Sequence, residues 1–112
     1  MPKPELIPTT LEEVMVYLSK ALSIEDQAAI ISTPEKELIK LHHSLGRWIR
    51  NDCKLWTVGP LSQHMKHLGF HHPDDMSMAL IKEWWARMNN VPSTLEQDAK
   101  EDTKYWESDN EA

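Results

Sequence analysis

The stretch that decides the fold is residues 41–56, which read LHHSLGRWIRNDCKLW. Its apolar residues recur three or four positions apart, the spacing that places side chains on one face of a helix. They are Leu41, Leu45, Trp48 and Ile49, preceded by Leu38. Upstream, Thr33-Pro34-Glu35 combines an N-cap residue, a proline at the first helical position and an acid in the first turn. This pattern predicts one helix ending near Asn51 or Asp52, the longest and most buried of the molecule.

Signals on both sides of this stretch predict four or five further helices. N-cap patterns occur at Thr10, Ser23 and Ser93, prolines open helices at Pro60 and Pro73, and Gly69 is a stop signal. The helix that starts at Pro73 carries an apolar stripe of Ser77, Leu80, Ile81, Trp84 and Met88. We therefore expect an all-α fold, a compact single-domain bundle of five or six helices over residues 1–107. Residues 1–9 and 108–112 are expected to be frayed.

Composition narrows the class of protein. The chain has 112 residues, enough for one core, and a formal net charge of −6. It has no apolar run near the roughly 20 residues that span a bilayer, and no N-terminal signal pattern. The single Cys53 is typical of a cytoplasmic protein, since a secreted domain of this size more often has paired cysteines. We expect a cytoplasmic protein that does not bind membranes.

The charge is unevenly distributed. Residues 91–112 carry two lysines against seven acidic residues, whereas residues 41–72 are mildly basic and contain all six histidines. The acidic end is either a solvated helix face or a surface that attracts a basic partner. Because the whole chain is acidic and lacks a dense Lys/Arg stripe, nucleic acid is disfavoured as a partner.

Two segments, residues 41–56 and 72–77, resemble a small bacterial domain family of unassigned function. In that family they typically read LHxxLGxxIRNxxxLW and HPDDxS, and the resemblance covers roughly residues 23–86. The link Asp52-Cys53-Lys54 departs from relatives, which more often have an apolar or glycine-containing link here. The resemblance implies a small stand-alone protein and a link to the accessory or immunity side of bacterial toxin systems. The motif residues that it singles out are Trp48, Arg50, Asn51, Trp56, His72, Asp74 and Asp75.

The arginines and aspartates of this motif allow two interpretations. Arg50 comes near the end of one predicted helix, and Asp74 and Asp75 fall in the first turn of another. A guanidinium can bind such a carboxylate in bidentate fashion and so brace the two helices. The alternative is a polar pocket for an anionic or guanidinium-bearing ligand. Gly46, costly inside a helix by about 1 kcal/mol relative to alanine, suggests close approach of another backbone.

Evidence for a metal site or catalysis is weak. His64 and His67 share a helix face and His71 and His72 follow, but no second well-spaced pair completes a ligand set. Cys53 or a serine could be paired with a histidine, yet no nucleophile elbow or phosphate-binding loop is present. We expect no metal, no cofactor and no catalytic residues.

Tryptophans and the acidic end point to protein binding. Trp85 and Trp106 are less clearly core residues than Trp48 and Trp84, and tryptophan often dominates interfaces. The predicted partner-binding residues are Trp85, Glu96, Asp98, Glu101, Asp102 and Trp106. The function expected is non-catalytic binding, most sharply that of a bacterial immunity protein that neutralises a toxin domain with a basic surface. The alternative is a small ligand- or metal-binding module built on the Arg/His/Asp constellation.

Overall fold

The computed structural model describes residues 7–111, with side chains through residue 107. The helices are α1 (Leu11–Ala21), α2 (Ile24–Ile31), α3 (Arg47–Asp52), α4 (Pro60–Leu68), α5 (Pro73–Met88) and α6 (Leu95–Glu111). A 3₁₀ segment (Glu35–Leu41) and a π-helical segment (His42–Gly46) lead into α3. Over the described range there is no β-strand, so the predicted all-α bundle is confirmed.

Side-chain caps determine where the first two helices begin. The Thr10 hydroxyl accepts the Glu13 N–H at 3.2 Å, and the Ser23 hydroxyl accepts the Asp26 N–H at 3.1 Å. The Glu13 carboxylate does not return to the backbone of Thr10. It accepts the N–H of Thr9 at 2.9 Å instead. Both helix starts therefore lie where the sequence predicts them, although the reciprocal bond of the capping box is shifted by one residue.

The prediction of one continuous α-helix over residues 35–52 is wrong, and so is the prediction that it is the longest helix of the molecule. The backbone stays helical from Glu35 to Asp52 but passes through 3₁₀ and π turns before α3 begins. Pro34 is extended and gives no side-chain cap, while the Thr33 hydroxyl donates to Ala29 O of α2 at 2.8 Å. The longest helices are α6, with 17 residues, and α5, with 16.

Helix α5 forms the centre of the core. Four residues of its predicted stripe are buried, whereas Met88, at 39% exposure, is not. The buried four are Ser77, Leu80, Ile81 and Trp84. The Trp84 indole N–H donates to the Ser19 hydroxyl at 3.0 Å, which joins α5 to α1. The stripes of α1 and of the α3 region complete this core, with Leu18, Leu38 and Ile49 at most 2% exposed.

Helix α6 packs on the turn between α4 and α5. Gly69 adopts the left-handed conformation (φ 116°) that ends α4, as its position predicted. A Cβ on Gly69 would lie 2.9 Å from the Ala99 Cβ, so this turn is in close contact with α6. The predicted fraying of both ends stays a prediction, because residues 1–6 and 112 lie outside the described residues and α6 runs to Glu111.

Candidate partner-binding site

Arg50 braces the π segment against the start of α5. The residue is 5% exposed. Its Nη1 donates to Ser77 Oγ at 2.9 Å and its Nη2 to His42 O at 3.1 Å. Its Nε lies 3.4 Å from Asp74 Oδ1, an ion-pair distance without hydrogen-bond geometry. Arg50 therefore joins the two regions that the sequence paired, and it does so through Asp74 and Ser77.

Gly46 makes room for this guanidinium. A Cβ at Gly46 would lie 2.9 Å from Arg50 Nη1, 3.4 Å from Leu41 O and 3.6 Å from Ser77 Oγ. The expected close approach of another backbone is limited to Leu41 O of the preceding 3₁₀ segment, and the nearest atom is the tip of a side chain from the following turn.

The other residues of the motif lie in different environments. Asn51 is exposed, and Trp48 is half-buried with its ring centroid 5.4 Å from that of Tyr17. The position of Trp56 at the end of the motif predicts that it packs against the core, but this residue is 57% exposed, so the prediction is wrong. His72 caps α5, since its Nδ1 accepts the Asp74 N–H at 3.0 Å.

Four rings form a continuous row that we call the aromatic row: Trp56, His72, Trp106 and Tyr105. Trp56 meets His72 edge-on with centroids 5.8 Å apart, and His72 stacks on Trp106 at 6.0 Å with planes 7° apart. Tyr105 then meets Trp106 edge-on at 5.4 Å. With Trp56 and Tyr105 both more than half exposed, the row presents aromatic surface to solvent.

Beside the aromatic row, Asp75 of α5 and Asp102 of α6 form a carboxyl pair. Trp106 Nε1 donates to Asp75 Oδ2 at 3.2 Å, and the His71 N–H donates to Asp102 Oδ2 at 3.1 Å. Burial and the hydrogen bond to Asp75 raise the pKa of Asp102 to about 6, against the lowering effect of the His71 N–H. The pair therefore holds one proton in mildly acidic solution.

The pair and the aromatic row border an open groove between α5 and α6 with a volume of about 690 Å³. Its apolar side is formed by Phe70, Met78 and Ala79, with Ile39 at the rim. Its carboxylates are Asp74, Asp75, Asp98, Glu101 and Asp102. Lys82 is the lysine in its lining, and its Nζ already lies 3.0 Å from Asp98 Oδ2. The groove is therefore strongly acidic.

The groove collects part of the predicted site and leaves the rest elsewhere. It includes His72, Asp74, Asp75, Asp98, Glu101, Asp102 and Trp106. Glu96 lines a smaller depression with Lys100 and Lys104. The Trp85 indole donates to Thr33 O at 2.8 Å, so this half-buried ring covers the end of α2. Arg50 does not line the groove, and Trp48, Asn51 and Trp56 do not either.

Tyr105, Lys82, Phe70 and Met78 of the groove were missed by sequence reasoning. Tyr105 could have been found from its position beside Trp106. The other three required knowledge of where α6 packs.

The remaining candidates for chemistry do not assemble. No three His, Cys, Asp or Glu side chains in the described part of the chain are placed to hold a metal ion. Cys53 is 1% exposed, and burial, with the charge of Asp52, raises the pKa of its thiol to about 12. That thiol is therefore protonated at neutral pH and is a poor nucleophile.

Comparison with known proteins identifies one relationship. A family model described as a domain of unknown function (DUF6794) matches residues 7–88. The matched segment begins earlier than residue 23, where the sequence resemblance was expected to start. Neither a curated protein nor a solved structure matches the chain. Within the described range, no helix has both the length and the apolar character that crossing a membrane requires.

Proposed function

This chain belongs to the DUF6794 family, described as a domain of unknown function, and we propose that it acts as a non-catalytic protein-binding module. The partner is a protein with a basic surface, and the binding site is the groove between α5 and α6. The buried brace around Arg50 has a structural role in this proposal and holds the end of α5 that carries Asp74 and Asp75.

The observation that carries the proposal is the composition of the groove. Five carboxylates surround an apolar side, and one lysine among them is already paired. Exposed rings of the aromatic row continue this surface beyond the groove. Aromatic surface combined with one sign of charge is typical of protein interfaces, because rings supply contact area and the charge speeds capture of an oppositely charged partner.

In its sharper form, the proposal is that the protein is a cytoplasmic immunity protein that blocks a toxin domain. Toxins that act on nucleic acids or nucleotides have basic catalytic clefts, and an acidic rigid helix pair complements such a cleft. This form is motivated by the link to toxin systems that the sequence resemblance of residues 41–56 and 72–77 implies. The buried thiol of Cys53 suits a reducing compartment.

A small-ligand module is the second candidate. The groove volume of about 690 Å³ lies within the range of small-molecule pockets, roughly 300–1,000 Å³, which favours it. The predicted ligand site, however, required Arg50 and Asp75 in one pocket, and only Asp75 lines the groove. This observation makes the protein-binding proposal the stronger of the two.

The test is affinity capture from cells of the source organism, followed by reconstitution with the purified partner. Glu101 is exposed on the groove side of α6, and Glu25 is exposed on α2. Glu101→Lys should weaken partner binding by about tenfold, mostly through slower association, whereas Glu25→Lys reverses the same charge and should not. Calorimetry measures the affinity of both variants for the partner, and stopped-flow measurements give their association rates. Equal binding by wild type and Glu101→Lys contradicts the proposal.

A further inference from the structure

The Asp75–Asp102 pair brings together one acidic residue from each of the two helices that form the groove. Asp75 of α5 and Asp102 of α6 both line the groove, and each carboxyl already accepts one N–H, from Trp106 and from the backbone of His71. Two carboxylates in contact repel each other, so the pair needs either a proton or a positive group between them. The ammonium of Lys82 is held at Asp98 and does not fill this role.

We propose that the Asp75–Asp102 pair is an arginine-binding site, in which a guanidinium group of the partner binds both carboxylates and lies against Trp106 and Tyr105. This inference rests on the proposed protein-binding function and specifies its chemistry. Below about pH 6 the proton held by the pair passes to solvent when the guanidinium binds, whereas above that pH no proton has to leave.

The surroundings favour a guanidinium over other cations. A guanidinium is planar, offers N–H groups to two carboxylates at once and stacks on aromatic rings. Tyr105 is 63% exposed at the groove and Trp106 lies at the carboxyl pair itself. Met78, which is partly exposed, and Ile39, at 62% exposure, supply apolar surface for the methylene stem of the side chain. An ammonium has no planar face and is more strongly hydrated, so lysine should bind more weakly.

Binding should strengthen as the pH rises. Since the pKa of Asp102 is raised to about 6, the pair holds its proton at pH 5 and has lost it by pH 7.5. At pH 5 a guanidinium must displace this proton. The other charged or titratable groups near the pair are His71, His72, Asp74, Lys82, Asp98, Glu101, Tyr105 and Glu107. The effect of the pair is isolated with Asp102→Asn, which leaves all of these groups in place.

The experiment titrates ¹⁵N-labelled full-length protein with N-acetyl-arginine amide, N-acetyl-lysine amide and N-acetyl-citrulline amide at constant ionic strength. The readout is the Trp106 indole N–H cross-peak, assigned with a Trp106→Phe variant. We expect a saturable shift with the arginine amide, a weaker one with lysine and none with neutral citrulline. Affinity for the arginine amide should be at least about fivefold higher at pH 7.5 than at pH 5.0.

Asp102→Asn should lose most of this pH dependence and bind the arginine amide several-fold more weakly, while remote Glu25→Gln should behave as wild type. An unchanged spectrum outside the groove shows that Asp102→Asn is folded. Equal binding of citrulline or lysine, or the same affinity at both pH values, overturns the arginine site. If these occur while Glu101→Lys still weakens partner binding, the protein-binding function stands without this site. If arginine binds as expected but partner binding ignores Glu101→Lys, the protein-binding function fails instead.

Discussion

Replacing Arg50 by methionine should be among the most destabilising single changes in this protein. Methionine retains the apolar stem but removes the hydrogen bonds to Ser77 Oγ and His42 O and the ion pair with Asp74. Bonds from a charged donor contribute about 1.5–3 kcal/mol each. The Asp74 side chain is 43% exposed and regains water, so its ion pair adds little. Partial relaxation around the methionine reduces the loss, giving a net cost of about 2–4 kcal/mol.

A matched control is available one turn earlier. Arg47 is exposed on the same helix, so Arg47→Met should change the free energy of unfolding by no more than about 0.5 kcal/mol. Urea titrations followed by circular dichroism measure the free energy of unfolding of both variants. In thermal melts, Arg50→Met should lower Tm by about 8–16 °C in a domain of this size. A cost for Arg50→Met below about 1 kcal/mol, or one equal to that of Arg47→Met, refutes the assignment of Arg50 as the brace.

For three other substitutions we predict the direction of the change in the free energy of unfolding, measured in the same urea assay. Gly46→Ala should lower the free energy of unfolding by about 1–2 kcal/mol, because the added Cβ would lie 2.9 Å from Arg50 Nη1. The same substitution made in the Arg50→Met variant should cost nothing, because the clash is gone and alanine favours the helix more than glycine does. Lys54→Gly should stabilise by about 0.5–1 kcal/mol, because Lys54 has φ 58° and glycine adopts that conformation without strain; a loss of stability would contradict this. The pKa of Asp102 is raised in the folded state, so its stabilising effect is complete at low pH and is lost as the pH rises through about 6. Asp102→Asn cannot ionise, so we expect equal stability at pH 4 and a gain of up to about 1 kcal/mol at pH 8, a value discounted because this side chain is half exposed.

Features of the fold that depend on residues close together in the sequence were predictable from the sequence. The starts of α1, α2, α4 and α5 follow from caps and prolines, and the stop at Gly69 follows from its freedom to adopt positive φ. The buried stripe of α5 follows from its spacing, except at Met88 near the C-terminal end, which is exposed. In each case the energetic cause acts within one or two turns of helix.

The features that sequence reasoning missed depend on side chains that reach further. The apolar spacing of residues 38–49 is compatible with α, 3₁₀ and π turns, and the Arg50 guanidinium that binds His42 O is eight residues away along the chain. The Asp75–Asp102 pair joins residues of two helices, so it could be found only after α6 was placed. Trp56 was misassigned because its position after a buried leucine does not reveal which way the chain turns at Lys54.

The two walls of the groove come from different parts of the gene. The apolar side and Asp75 belong to residues within the segment that the family model matches, whereas the acidic wall belongs to α6, beyond residue 88. Substitutions on the outer turns of α6 alter the electrostatic field without disturbing the core. The affinity and partner choice that we propose for this groove can therefore change through one helix, while residues within the matched segment keep the other wall in place.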